Sequence, residues 1–127
     1  MIARVIYFGP DDCHRLMVLR SAGYRVADCD SLSQLRALLA SVAEVDAVLI
    51  SDRDGISPRE AVAAVRARSP LPVILFRNSN MAYEDSGFDL VVPCLTPPEV
   101  WLNDVETLIA RCRTASRPGG LPMKFAT

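Results

Sequence analysis

Residues 47–55 read AVLISDRDG, in which four consecutive apolar residues are followed by the polar pair Ser51 and Asp52. A short apolar run that ends in polar and glycine residues is typical of a buried strand that stops at a turn. Strands buried on both faces are characteristic of parallel sheets, because helical crossovers cover both sides of such sheets. The stretch therefore predicts a central strand with Ser51 and Asp52 at its carboxyl end.

Four further apolar runs lie along the chain, and helical patterns separate them. The five strand candidates are, in chain order, ARVIYF, YRVADC, AVLIS, PVILF and DLVV. Parallel strands need crossover connections, and these are almost always right-handed, so the alternation favours one continuous parallel sheet. We predict a doubly wound, flavodoxin-like α/β fold with five parallel strands in the order 2-1-3-4-5. Ligand sites of such sheets lie at the carboxyl ends of strands 1 and 3, where Asp52 falls.

Length and composition indicate one ordinary globular domain. The chain has 127 residues, of which 50% are hydrophobic and 23% are charged, and its net charge is −1. This balance argues against a nucleic-acid-binding surface. No run approaches the ~20 apolar residues that span a bilayer, and the four cysteines form no C-x-x-C pair, so we expect a cytoplasmic protein with reduced thiols. We place the domain at residues 1–113 and a flexible tail at 114–127, where proline and glycine are frequent.

Three helix starts are marked by capping boxes, in which a Ser or Thr is followed three residues later by Gln or Glu. These boxes lie at residues 31–34, 57–60 and 96–99. Between Arg77 and Gly87 the chain is too short for a full helix, so the fourth helix is expected to be shortened.

The sequence resembles the response-regulator receiver domains of two-component signalling, the CheY-like superfamily, over roughly residues 3–113. The stretches that carry the resemblance are LISD, SPLPVILF, SGFDLVVP and TPPEVW. The resemblance implies an aspartate at the end of strand 3 that accepts a phosphoryl group, two acidic residues after strand 1 that hold magnesium, a Ser or Thr ending strand 4, and a lysine ending strand 5. Oxygen ligands suit a hard dication, and cations neutralise the transferring phosphoryl group.

The resemblance makes Asp52 the candidate phosphoacceptor. Counting from Asp46 gives an alternative register in which Ser51 occupies the acceptor position. Residues 52–55 are also of the types that form a simple polar turn, and this interpretation remains open beside the other two.

The acidic residues after strand 1 depart from the family pattern. Gly9 and Pro10 separate the strand from Asp11 and Asp12, so these two carboxylates are better placed to cap the first helix than to bind magnesium. We therefore expect no metal site. If a site exists, its ligands are Asp11, Asp12 and Asp52.

The positions that end strands 4 and 5 depart from the pattern as well. The Ser or Thr position falls on Arg77, with Ser79 two residues later, and the lysine position falls on Cys94. The chain's single lysine is Lys124, so the family's catalytic lysine is absent. Val91 stands at the aromatic switch position of strand 5. We hypothesise that Arg77 pairs with Asp52 and supplies a fixed cation.

Together these departures predict a degenerate pseudo-receiver that acts by protein–protein interaction without phosphorylation, with no catalytic activity and no cofactor. The expected partner is a signalling protein, either a histidine kinase or an output protein, with no direct contact to nucleic acid or membrane, and the domain is expected to be a monomer or weak homodimer. One alternative is a functional receiver that uses Asp52 with Mg²⁺. A further alternative is a small-molecule sensor that uses the crevice above strands 1 and 3.

Overall fold

A computed structural model describes residues 2–11, 14–41, 44–52, 58–68, 70–77, 87–93 and 95–116. Strands and helices alternate from the first strand to the fourth, as the sequence predicts, and most of the connection to the fifth strand lies outside the described residues. The strands are β1 (Arg4–Phe8), β2 (Arg25–Cys29), β3 (Ala47–Ser51), β4 (Val73–Phe76) and β5 (Leu90–Val92). The helices within the described ranges are α1 (Arg15–Ser21), α2 (Leu32–Ser41), α3 (Arg59–Arg66) and α4 (Pro98–Ser116).

The five strands form one parallel sheet in the order β2-β1-β3-β4-β5, which confirms the predicted topology. Every residue of β3 and of β4 is buried. Their continuous apolar sequences follow from this position, because the helices on both faces leave no side of a central strand in water.

Two apolar cores lie on opposite faces of the sheet. Val5 and Tyr7 of β1 belong to the core under α1 and α4, whereas Ile6 and Phe8 belong to the core under α2 and α3. This alternation is the two-residue period of an extended strand. Because every strand runs in the same direction, all five carboxyl ends meet at one edge of the sheet.

The predicted capping boxes are only partly formed. At the start of α2 the Gln34 N–H donates to Ser31 Oγ over 3.2 Å, but the Gln34 side chain accepts from the Asp30 N–H rather than from that of Ser31. At the start of α4 the Thr96 hydroxyl donates backwards to the Pro93 carbonyl over 2.7 Å. Ser57 of the remaining box lies outside the described residues.

The predicted boundary between domain and tail at residue 113 falls inside a helix. Helix α4 continues to Ser116, so residues 114–116 are helical where we expected the start of a tail. The apolar face of this helix docks through Trp101, Val105 and Ile109, and the regular backbone persists beyond the last buried turn. The remainder of the expected tail, 117–127, and the shortened helix, 78–86, lie outside the described residues.

Arg66 at the end of α3 ties that helix to the amino ends of two strands. Its Nη1 donates to the Leu71 carbonyl over 2.8 Å, and its Nη2 donates to the Gly87 carbonyl and to Asp89 Oδ2, each over 3.0 Å. Asp89 Oδ2 also accepts the Val73 N–H over 2.8 Å. One guanidinium therefore joins the connections that lead into β4 and β5.

Candidate functional site

The predicted acceptor stretch lies at the carboxyl edge of the sheet. Ser51 ends β3 and Asp52 follows it, and each residue is only 3% exposed. The Asp52 N–H donates to the Phe76 carbonyl over 3.1 Å, so the ladder between β3 and β4 continues to this aspartate. The sheet therefore holds the backbone of Asp52, whereas residues 53–55 of the alternative polar turn lie outside the described residues.

Arg15, near the start of α1, is buried at the same edge. The residue is 4% exposed, its guanidinium carbon lies 4.3 Å from the centre of the Phe76 ring, and its Nη1 donates to Ser51 Oγ over 3.4 Å. Stacking on an aromatic face stabilises a guanidinium that has lost most of its hydration. A fixed positive charge therefore lies beneath the end of β3.

The Phe76 ring that stacks on this guanidinium packs against two other aromatic side chains on the face covered by α1 and α4. The Phe76 ring meets Trp101 edge to face with centroids 5.1 Å apart, and Tyr7 lies 6.2 Å from Phe76. Burial raises the pKa of Tyr7, and hydrogen bonding with Ser51 and Arg15 opposes this rise. The neutral phenol donates to the Pro10 carbonyl over 2.9 Å. We call Tyr7, Arg15, Ser51, Phe76 and Trp101 the edge cluster.

Gly9 brings the loop after β1 against the end of β3. Its φ is +111°, and a Cβ at this position would overlap the Ser51 carbonyl oxygen. The Gly9 N–H donates to the Cys29 carbonyl over 3.0 Å, which holds the loop on β2 as well. Backbone atoms thus occupy the space between β1 and β3 where the loop leaves the sheet.

The structure gives Asp11 a helix-capping contact. Asp11 is exposed, and its Oδ1 accepts the Leu16 N–H over 2.9 Å, as expected of a carboxylate that satisfies a free donor at the start of a helix. The N-cap residue itself is His14, in the left-handed region with a φ of 55°. Within the described residues no three His, Cys, Asp or Glu side chains are grouped as metal ligands. Asp12 lies outside those residues.

Arg77 follows β4 directly and is half-buried. Its N–H donates to the Val92 carbonyl over 3.0 Å, so its backbone lies at the carboxyl edge, on the strand next to that of Asp52. The pairing of these two side chains remains a prediction, to be tested by a double-mutant cycle with Arg77→Ala and Asp52→Ala. We expect a coupling free energy of about 0.5–1 kcal/mol, and strictly additive effects would exclude the pair. The other two members of the expected pocket, Ser79 and Cys94, fall outside the described residues.

Sequence reasoning missed Arg15 and Tyr7, the two residues that give the edge cluster its charge and its buried hydroxyl. A signal for Arg15 was present: it precedes Leu19 by four residues, and residues at that spacing share one face of a helix. An arginine in the apolar stripe of a short helix is unusual, and it indicates a buried cation that needs partners.

Comparisons with solved structures identify similar folds. The N-terminal domain of a response regulator/sensory box/GGDEF protein from Carboxydothermus hydrogenoformans has a TM-score of 0.73 and 14% identity, covering 90% of this chain and 99% of that one. A CheY-like receiver domain from Methanospirillum hungatei JF-1 has a TM-score of 0.70 and 16% identity, covering 89% and 98%.

A third similar structure is the receiver domain of the sensor histidine kinase PA1611 from Pseudomonas aeruginosa PAO1, with a magnesium ion coordinated in its active-site cleft. Its TM-score is 0.71 and its identity is 17%, covering 85% of this chain and 98% of that one. Neither the protein-family models nor the curated proteins include a match to the sequence. The chain has the fold of response-regulator receiver domains, as its sequence predicts.

Proposed function

We propose that this chain is a receiver-like signalling domain of bacterial two-component systems whose action does not require phosphorylation of Asp52. Its partner would be a histidine kinase or an output protein, contacted through the domain surface. The receiver fold supports the signalling role. Among the helices that the structure describes, none is long and apolar enough to cross a membrane.

Arg15 is the main reason for proposing that the domain acts without phosphorylation of Asp52. A transferring phosphoryl group needs magnesium and a cation placed to meet its developing charge. In this chain a guanidinium is already buried under the end of β3, where it stacks on Phe76 and contacts the Ser51 hydroxyl. Such a cation is present permanently and favours one arrangement of the edge in the absence of phosphorylation.

The residues after β1 support the same conclusion. Gly9 packs on the Ser51 backbone, and Asp11 binds the N–H of Leu16 in α1. This hydrogen bond directs Oδ1 of Asp11 towards the start of α1, so the contact that the structure gives this carboxylate is a capping one. The sequence also has no lysine before Lys124.

A working phosphoacceptor is the second candidate, because Asp52 lies buried at the carboxyl end of the central strand. Incubation with Mg²⁺ and acetyl phosphate, followed by intact-mass measurement, separates the two. We expect no added phosphoryl group in the wild-type chain and no rise in melting temperature with millimolar Mg²⁺. An added group that is lost in Asp52→Asn but kept in Ser51→Ala would establish Asp52 as the acceptor; the reverse pattern would identify Ser51.

Partner binding provides the positive test. The wild-type chain and Asp52→Asn are used as baits in a lysate of the native organism. If phosphorylation is not required, both capture the same signalling protein in equal amounts with and without acetyl phosphate. Capture that depends on acetyl phosphate and is lost in Asp52→Asn would overturn the proposal.

A further inference from the structure

A cleft of about 210 Å³ opens at the amino ends of β1 and β2, at the end of the sheet opposite to Asp52. It is lined by Arg4, Val5, Ile6, Arg25, Val26, Ala27 and Val45. Ile6 belongs to the core under α2 and α3, so Arg4, two residues away on the same strand, projects to this face as well. The cleft therefore lies on a different part of the molecule from the edge cluster.

Two arginines stand side by side in this cleft. Arg4 and Arg25 are register partners in the parallel pair β1 and β2, and partners in neighbouring strands project from the same face. Like charges placed opposite each other destabilise a sheet. An anion bound between the two guanidinium groups would remove this repulsion.

The described residues provide no such anion. The Asp46 carboxylate is near, since its Oδ2 accepts the Arg4 backbone N–H over 2.9 Å. However, Asp46 is bound by Arg113, with Nη2 at 2.9 Å and Nε at 3.1 Å, so its charge is already matched. Within the described part of the chain, neither the Arg4 nor the Arg25 side chain forms an ion pair or a hydrogen bond.

We propose that this cleft binds a small phosphate monoester, with the phosphate between Arg4 and Arg25 and a compact apolar group on the floor formed by Ile6, Ala27 and Val45. A phosphate dianion matches two positive charges, and its oxygens suit the planar donor fork of arginine. The backbones of neighbouring strands are about 4.8 Å apart, so the two arginine side chains begin close enough together for both guanidinium groups to reach one phosphate. The Arg4 backbone is hydrogen-bonded to Asp46 through both its N–H and its carbonyl, so the backbone that carries this side chain is held in place before binding.

The test is a titration of the ¹⁵N-labelled full chain with phenyl phosphate, followed by NMR. We expect saturable shifts of the backbone amides of Arg4 and residues 25–27. Arg25 is exposed, so Arg25→Gln keeps the fold, and it is expected to raise the Kd about tenfold, the loss of one charge-assisted contact. Arg111→Gln removes the same charge from an exposed position on α4 and should leave the Kd unchanged.

Two further comparisons separate the parts of the site. Ala27→Val makes the floor of the cleft narrower. It should weaken the binding of phenyl phosphate more than the binding of inorganic phosphate, because only phenyl phosphate carries an apolar group. Phenol, which lacks the charge, should give no saturable shifts at the cleft. The proposal would be overturned by shifts that do not saturate, by equal Kd values for Arg25→Gln and Arg111→Gln, or by shifts centred on the carboxyl edge.

Discussion

Replacing Gly9 with alanine is expected to destabilise the domain by about 2–5 kcal/mol. Two physical effects contribute. A backbone φ of +111° is unfavourable for any residue with a Cβ, and the new methyl group would overlap the Ser51 carbonyl oxygen. Ser51 cannot move away freely, because it is paired in register with Phe76 and the next residue, Asp52, donates to the Phe76 carbonyl.

The two effects can be assigned approximate sizes. Placing alanine in the left-handed region costs about 1–2 kcal/mol, and forcing one additional methyl group into a packed site typically costs about 1–3 kcal/mol. Gly23 is the matched control, since its φ is +101° but a Cβ there would meet only atoms of Ile2, the nearest of them a side-chain carbon at 3.4 Å. Gly23→Ala should therefore show the backbone cost with little of the overlap.

Urea unfolding followed by circular dichroism measures both variants against the wild-type chain. We expect Gly9→Ala to lose at least about 1 kcal/mol more than Gly23→Ala, the lower end of the overlap cost. If the two variants lose the same free energy of unfolding within about 0.5 kcal/mol, the effect of an ordinary surface substitution, then the loop after β1 is not in close contact with β3. The conclusion that backbone atoms of this loop fill the space between β1 and β3 would then be wrong.

Three other outcomes are expected. The hydroxyl of Tyr24 is buried without a hydrogen-bond partner among the described residues, so Tyr24→Phe should raise the free energy of unfolding by about 1 kcal/mol in urea. Burial raises the pKa of the Cys29 thiol from 9.0 to about 11. The unfolded chain therefore loses this proton at a lower pH than the folded chain. The free energy of unfolding should keep its full value below pH 9 and fall between pH 9 and 11, and this fall should be smaller in Cys29→Ala. Arg66→Met removes three hydrogen bonds at a partly exposed site and should lower the free energy of unfolding by about 1–2 kcal/mol. Arg68→Met changes an exposed residue and should lower it by less than about 0.5 kcal/mol. Thermal or urea unfolding measures both variants.

The strands and their order were predictable from the sequence because the signal is local. AVLIS and PVILF are continuously apolar, and such runs become central strands since both of their faces must leave water. Alternating helices then restrict the connections to right-handed crossovers, which leaves few possible sheets. The position of Ser51 and Asp52 at the carboxyl edge follows from the same pattern.

The side chains that pack together at the carboxyl edge could not be predicted in this way. Arg15 lies in helix α1, next to Leu16 in the sequence, yet its burial depends on Ser51 of β3 and Phe76 of β4. Likewise, Arg4 and Arg25 are 21 positions apart and become neighbours only through the register of β1 with β2. The burial of an apolar residue depends on the spacing of apolar residues within one strand or helix. The partner of a charged side chain depends on which strands and helices come together in the fold. The sequence was therefore sufficient for the sheet, and the charged sites were set by tertiary packing.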